Sequence, residues 1–417
     1  MDATLESRSG LGREFSRLWA AVAASNLGDG VWLVAAPLMA ATLTRDPALV
    51  AGLTFAHRIP WLFFPLISGV LADRLDRRRA MVVATVGRAA LVGALAMSVW
   101  TGTVSLPMLY AVFFLVSTGE TLVDTSAAAI LPAIVHRDDL TTANARLAGT
   151  INVTNQFLGM PLGGLLFARA AFLPFALGAA ALAMSASMLA ALRGSFDPKQ
   201  SATSSAGSIR SEIREGIVWL WRQRLLSTMA LMLGVLNLTL MSQLGILVLY
   251  AEDRLGMSAG GYVALLTASG IGGVLGSVVA GRVIRLIGGG TCLRLAIVIE
   301  TVIPVVMALT RSPWLAVPLV VVFGLNSTIW GVVLATARQQ LTPDRLRGRV
   351  QSVFGLVGSG TAAPGALLGG LLAARFGLTA PFWFSAVVGA ALLPVVWGVF
   401  SNVHVTNALQ AADGVDP

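Results

Sequence analysis

Carboxylates at Asp29, Glu120, Asp124 and Glu300, and the guanidinium of Arg58, stand inside long apolar runs of this 417-residue chain. A charge at bilayer depth costs at least about 2.5–3.5 kcal/mol on insertion scales, so each needs a partner or a task. Asp29 falls about eleven residues into its run, about 16 Å deep at 1.5 Å per residue. Glu120 and Asp124 are one helical turn apart and share a face. A carboxylate so placed can take up a proton in dry surroundings and release it beside a cation. That is the chemistry of a proton-coupled carrier. The competing expectation is a static network, in which Arg58 neutralises Asp29 or Glu120 and no proton moves.

Uncharged polar groups also lie in these runs. Asn152, Asn155, Gln156, Asn237 and Gln243 are placed to meet a substrate. They are equally placed to form interhelical hydrogen bonds, worth about 0.6 kcal/mol each. Trp32 and Trp330 fall deep in their runs, where they would wall an apolar site, pack, or face lipid. Trp19, Trp100, Trp314 and Trp397 fall near run ends, where interfacial aromatic belts form.

The elements holding these residues follow from composition. The chain is 56% hydrophobic and 12% charged, whereas a soluble domain carries about 25% charged residues. Twelve apolar runs lie near 18–43, 48–72, 80–101, 106–133, 144–168, 170–192, 226–250, 259–285, 291–310, 314–338, 349–374 and 379–400. Each approaches or exceeds the roughly 20 residues that an α-helix needs to cross a bilayer. The first is too long for a signal-peptide core and reads as a retained span.

The net charge of +9 suggests a nucleic-acid partner until the charges are located. Most arginines fall on one side of the alternating spans, while Arg45, Arg169, Arg254, Arg311 and Arg375 fall at the other ends. That is the positive-inside bias, and it argues against nucleic acid. It puts the loops at 74–79, 136–143, 193–225 and 341–347 in the cytoplasm. An even number of spans, with Arg8, Arg13 and Arg17 ahead of the first, puts both termini there too.

The polar stretch 193–225 divides the chain into an N-terminal six-helix half, 1–192, and a C-terminal six-helix half, 226–417. Ile209, Ile213, Ile217 and Leu220 give its second part the spacing of an amphipathic helix on the inner membrane surface. The halves repeat. Leu162 to Arg169 recurs as Leu368 to Arg375 with seven of eight positions identical, at an offset of 206 residues. At the same offset Val135 to Leu140 lies over Leu341 to Leu346, sharing Asp138/Asp344 and Leu140/Leu346. Two matches at one offset point to duplication.

Between the second and third runs lies Gly69-Val-Leu-Ala-Asp73-Arg74-Leu-Asp76-Arg77-Arg78-Arg79. The positive-inside rule accounts for its arginines but not for Gly69 or Asp73. A glycine there admits a neighbouring helix, and a carboxylate there can accept from the free N–H groups of a helix N-terminus. The spacing Gly-x-x-x-Asp-Arg-x-x-Arg-Arg closely resembles the loop signature of the major facilitator superfamily. Leu131-Pro132 followed by Ala143-Asn144 resembles the branch with macrolide-efflux proteins and the enterobactin exporter. Gly159-Met-Pro161-Leu-Gly163-Gly164 is similar to the exporters' fifth-span motif Gly-Pro-x-x-Gly-Gly, with the proline one position late.

The resemblance implies an all-α membrane protein of twelve helices in two pseudo-symmetric six-helix bundles, working by rocker-switch alternating access. It implies a conformational latch of Gly69, Asp73, Arg74, Arg77 and Asp124: Asp73 meets the eleventh helix near Arg349, and Arg77 pairs with Asp124. The second copy has Arg285 where Asp73 would be, so such a latch is asymmetric. The first and fourth spans of each half would line the cavity, exposing Asp29 and Glu120 to one side at a time. Glu300 would lie on a peripheral span, where packing is as expected as coupling.

The function so implied is a proton-coupled exporter of drugs, macrolides, siderophores or similar compounds from a bacterial cytoplasmic membrane. Its expected partners are a small-molecule substrate, protons and membrane lipids. It would act as a monomer with no cofactor or metal. An importer or lipid transporter on the same scaffold is the alternative, and a non-transporting sensor a more distant one. An ATP-driven pump needs a phosphate loop with Gly-Lys-Ser/Thr, yet Lys199, the sole lysine, sits between Pro198 and Gln200. The scattered His57, His136 and His404 and the lone Cys292 offer no catalytic constellation.

Overall fold

Long apolar runs satisfy their backbone polar groups internally only as helices. The computed structural model describes residues 11–64, 68, 75–194, 209–343 and 346–401. Its helices are α1 (Arg13–Leu43), α2 (Pro47–Arg58), α3 (Arg77–Trp100), α4 (Leu106–Ile134), α5 (Leu140–Asn152), α6 (Met160–Arg169) and α7 (Leu173–Ala190). They continue as α8 (Ile209–Arg222), α9 (Arg224–Leu244), α10 (Ala259–Ile287), α11 (Gly289–Leu309), α12 (Pro313–Leu341), α13 (Arg347–Phe376) and α14 (Ala380–Val399). No strand occurs among the described residues. Ten of these helices are long and apolar enough to cross a membrane.

The two remaining apolar runs have specific reasons for standing apart. The second lies partly outside the described residues. The fifth is helical throughout but not uniformly α, because a π-helix, Val153–Gly159, joins α5 to α6. Pro161 has no N–H for the carbonyl four residues back, and the widened turn before it accommodates that loss.

The described part of the charged turn shows what its later residues do. Asp76 caps α3 by accepting from the Arg79 amide at 2.9 Å. Arg78 donates to the Leu192 carbonyl at 2.7 Å, and Arg77 to the Ala129 carbonyl at 3.2 Å. Gly69, Asp73 and Arg74 lie outside the described residues.

Packing divides the chain into two compact units. One comprises residues 1–35, 63–104 and 115–204; the other comprises 36–62, 105–114 and 205–417. Helix α1 changes unit after Ala35, two residues before its internal Pro37. In the first unit Phe15, Leu18, Met81, Ile130, Leu131, Leu189 and Leu192 form a buried cluster. In the second, the cluster includes Met229, Met232, Leu293, Ile297, Val350 and Phe354. Apolar side chains such as Leu165, Val278 and Trp314 stay exposed on the helices, as lipid-facing positions require.

Small residues set the closest helix approaches. In the first unit a Cβ on Gly163 would overlap the Val31 carbonyl, and one on Gly159 would lie 2.9 Å from the Leu27 carbonyl oxygen. In the second unit Cβ atoms on Gly369 and Gly365 would overlap the carbonyls of Ser242 and Leu238. Gly159/Gly365 and Gly163/Gly369 are separated by the same 206 residues as the sequence repeat. Each unit therefore seats a Gly-rich helix against a long helix through two positions at matching spacing. Without a hydrophobic drive between helices in lipid, such close backbone contact is a main source of association.

Gly163→Val and Gly369→Val should each lower the thermal stability of the detergent-solubilised protein sharply, since the obstacle is backbone. Gly331→Ala, with nothing within 4 Å of its Cβ position, should be neutral or stabilising by up to about 1 kcal/mol. Wild-type melting of Gly163→Val would refute the close-seam account.

Candidate functional site

The first unit encloses a charged cluster built from three helices. Asp29 on α1 is 6% exposed and Arg88 on α3 is 2% exposed. Arg88 Nη2 donates to both carboxylate oxygens of Asp29, at 2.9 and 3.0 Å. Trp32 Nε1 donates to Asp29 Oδ1 at 3.2 Å, and Ser25 Oγ to Oδ2 at 3.4 Å. Arg88 Nη1 reaches Ser25 Oγ at 3.4 Å. Asp29 is thus held by three donors, two of them neighbours on its own helix at helical spacing.

A second carboxylate stands close to the same guanidinium. Glu120 on α4 has Oε2 3.8 Å from Arg88 Nη2, and its side chain is more exposed than that of Asp29. Gly119 makes room for this approach: a Cβ there would lie 3.0 Å from Arg88 Cγ and 3.2 Å from Cδ. Asp124, one turn beyond Glu120 on α4, is exposed. Two carboxylates of different exposure therefore flank one buried guanidinium.

This arrangement corrects the sequence expectation. The guanidinium that meets Asp29 is Arg88, not Arg58; Arg58 lies on α2, in the other compact unit. Arg77 donates to the Ala129 carbonyl, and no ion pair joins it to Asp124 among the described residues. Arg88 was legible in principle: it sits inside the third apolar run, at a depth similar to that of Asp29 from the same side.

The other candidates scatter. Trp32 serves as a hydrogen-bond donor to Asp29 rather than as a bare apolar wall. Its ring edge also packs on α7, where a Cβ on Gly178 would lie 2.9 Å from Trp32 Cδ1. Asn152 and Gln156 are exposed on α5 and the π-helix. Asn155 presents its backbone to Gly30, next to Asp29, closely enough that any Cβ on Gly30 would collide.

In the second unit Trp330 is buried edge-to-face against Phe400 at 6.3 Å, a packing role. Glu300, on α11, enters no hydrogen bond or ion pair among the described residues. Gln243 donates to Ser385 Oγ at 2.9 Å and ties α9 to α14, while Asn237 donates to the Leu233 carbonyl of its own helix.

The second unit also contains a seam that sequence reading did not find. Asp46 caps α2 by accepting from the Ala48 amide at 2.8 Å, with Pro47 at the first turn. Helix α2 lies on α13 so closely that a Cβ on Gly370 would be 2.6 Å from Ala51 Cβ and 2.9 Å from Ala48 Cα. Beside it Arg45 Nη1 pairs with Glu252 at 2.6 Å and with Asp253 at 3.5 Å. The Glu252 hydrogen bond holds the Arg45 guanidinium pKa above its ordinary value. This pair is solvent-exposed and so contributes at most about 1 kcal/mol. Its value is positional, since Glu252 and Asp253 sit in a π-helix, Tyr250–Arg254. Arg254 in turn donates to the Thr310 and Ala308 carbonyls at the end of α11.

The chain is thus a helical membrane protein with a buried ion pair and glycine-seamed helix contacts. Residues 11–414 match the family of transmembrane secretion effectors in the major facilitator superfamily, and the chain belongs to that family. It is 27% identical to the multidrug efflux pump Tap of Mycobacterium tuberculosis over 393 residues, 90% of each protein. An uncharacterized MFS-type transporter of the same organism is 32% identical over 150 residues, 35% of this chain and only 33% of that relative. The fold superimposes on the nucleoside transporter NupG with a TM-score of 0.75, covering 93% of this chain and 99% of that one at 13% identity.

Removing one partner of a buried pair leaves an uncompensated charge and costs about 3–5 kcal/mol. Arg88→Ala should therefore destabilise the protein strongly in thermal unfolding, and Asp29→Asn combined with Arg88→Ala should recover much of the loss. An Arg88→Ala protein as stable as the wild type would show that the pair carries no structural charge.

Proposed function

We propose that this chain is a proton-coupled exporter of small organic compounds, acting by rocker-switch alternating access. In this reading its twelve spans form two six-helix halves, 1–192 and 226–417, joined by the linker 193–225. Both termini face the cytoplasm of a bacterium, and the protein works as a monomer in the cytoplasmic membrane without a cofactor. Export as the direction is supported by the efflux pump to which the chain is similar along most of its length.

The observation that carries the reading is the Asp29–Arg88 pair with Glu120 beside it. A proton and the guanidinium compete for the same carboxylate. When Asp29 is ionised it fixes Arg88 through two charge-assisted hydrogen bonds. When Asp29 takes a proton it loses its attraction for Arg88, and the next carboxylate is Glu120, 3.8 Å away. The side chain then needs only a small rotation to exchange partners. Because Ser25, Trp32 and Asp29 lie on α1 while Glu120 and Asp124 lie on α4, that exchange shifts the balance of forces between two helices. A ligand or proton moves a conformational equilibrium only through such a difference between states.

The substrate would meet this cluster and the exposed Asn152 and Gln156. The latch of Gly69, Asp73 and Arg74, with Arg77 anchored on α4, would oppose opening on the cytoplasmic side. The α2–α13 seam and the Arg45–Glu252 pair would oppose opening on the other side.

Inverted membrane vesicles with an imposed pH gradient, acid inside, provide the test with a panel of lipophilic drugs and siderophores. Wild-type vesicles should accumulate substrate only with the gradient. Asp29→Asn should abolish that accumulation while sparing substrate exchange at equal pH, and Glu120→Gln should weaken it. Full gradient-driven accumulation in both variants would remove the proton from this cluster and leave Glu300 as the next intramembrane carboxylate.

A further inference from the structure

We infer that the corner between α8 and α9 binds the headgroup of an anionic phospholipid. Helix α8 ends at Arg222, and after a single extended residue, Gln223 (φ −96, ψ 94), the apolar span α9 begins at Arg224. The end of α8 therefore lies at the rim of the bilayer. One face of α8 is used up within the second unit. Leu220 is 3% exposed in the core cluster, Ile217 and Trp219 pack against it, and Glu215 is ion-paired to Arg349 at the start of α13.

Among the described residues the neighbouring face is uncovered. Val218 is 44% exposed and Trp221 58% exposed, three residues apart and so on one side of the helix. Arg222 and Arg224 are exposed beside them. Among the described residues neither arginine side chain enters an ion pair or hydrogen bond. Arg349, a short way off, is by contrast already paired to Glu215.

Such a surface fits one occupant better than bulk water or hydrocarbon. Water would leave an indole and an isopropyl group uncovered, and hydrocarbon would strand two guanidinium groups. The headgroup layer satisfies both, because indoles settle there and guanidinium forks bind phosphate bidentately. A net negative headgroup completes the charge match to Arg222 and Arg224. The opposite face of α8 is fixed to α13, so a bound lipid would hold α8 and the start of α13 together.

The test is native mass spectrometry of the full chain in detergent, titrated with phosphatidylglycerol. Phosphatidylcholine of the same chain length serves as the neutral comparison, and glycerol 3-phosphate as the free headgroup. Phosphatidylglycerol should be retained over phosphatidylcholine, and glycerol 3-phosphate should not displace it. In R222Q/R224Q the phosphatidylglycerol affinity should drop about fivefold for each arginine lost. R222K/R224K should keep most of the preference for the anionic lipid, and W221A should weaken retention of phosphatidylglycerol. Equal retention of the two lipids by the wild type overturns the proposal. So does unchanged phosphatidylglycerol binding in R222Q/R224Q, or displacement by the free headgroup. Should R222Q/R224Q not purify as a single species, unchanged retention in W221A overturns it instead.

Discussion

Asp29 and Arg88 are buried against each other where neither could stay charged alone. Desolvating an isolated carboxylate or guanidinium is costly enough that folding must bring the two together. Much else in the first unit follows. Helix α3 must present a long cation inward, so α4 carries glycine at 119, where the Arg88 stem passes. Helix α1 must approach the π-helix and α6 closely, so glycines stand at 30, 159 and 163, while Gly28 lies against Gly178 and Ala181 of α7. Ser25 and Trp32 flank Asp29 along α1 and supply the remaining donors. A buried ion pair is poor evidence of stability, because well-packed apolar residues of like volume often do as well or better. Under the proposed function, the pair serves a role in which the charge changes.

The repeated glycine seam shows how the same problem is solved twice with different chemistry. Gly159 and Gly163 in one unit, and Gly365 and Gly369 in the other, bring a Gly-rich helix against a long helix. In the first half that helix contains Asp29; in the second, α9 contains Asn237 and Gln243, which are occupied in hydrogen bonds of their own. The same glycine spacing serves both units, and among the described residues the Asp29–Arg88 cluster stands in the first. That asymmetry agrees with the charged turn, whose second copy has Arg285 at the position of Asp73.

The helices were legible because apolar length is a direct physical demand of the bilayer, and the repeat was legible because it leaves identical residues. Asp29, Glu120 and Asp124 stood out for the same reason, being charges where charge is expensive. The partner of Asp29 was misjudged: Arg58 drew attention, while Arg88, in a run that opens with a cluster of arginines, did not. Matching depths along neighbouring spans would have singled out Arg88. The π-helix was not legible, since Gly159 and Pro161 announce a bend without stating its register. Nor was the α2–α13 seam, which depends on contact between segments more than 300 residues apart in sequence.

The central claim is that Asp29 exchanges a proton for its bond to Arg88, and infrared spectroscopy reads that directly. In pH-difference spectra of the reconstituted wild type, a protonated-carboxylic band should grow on acidification, and subtracting the Asp29→Asn spectrum should isolate it. Glu120→Gln should retain that component. Identical difference spectra for the wild type and Asp29→Asn would contradict the account, leaving Asp29 as a permanently ionised partner of Arg88.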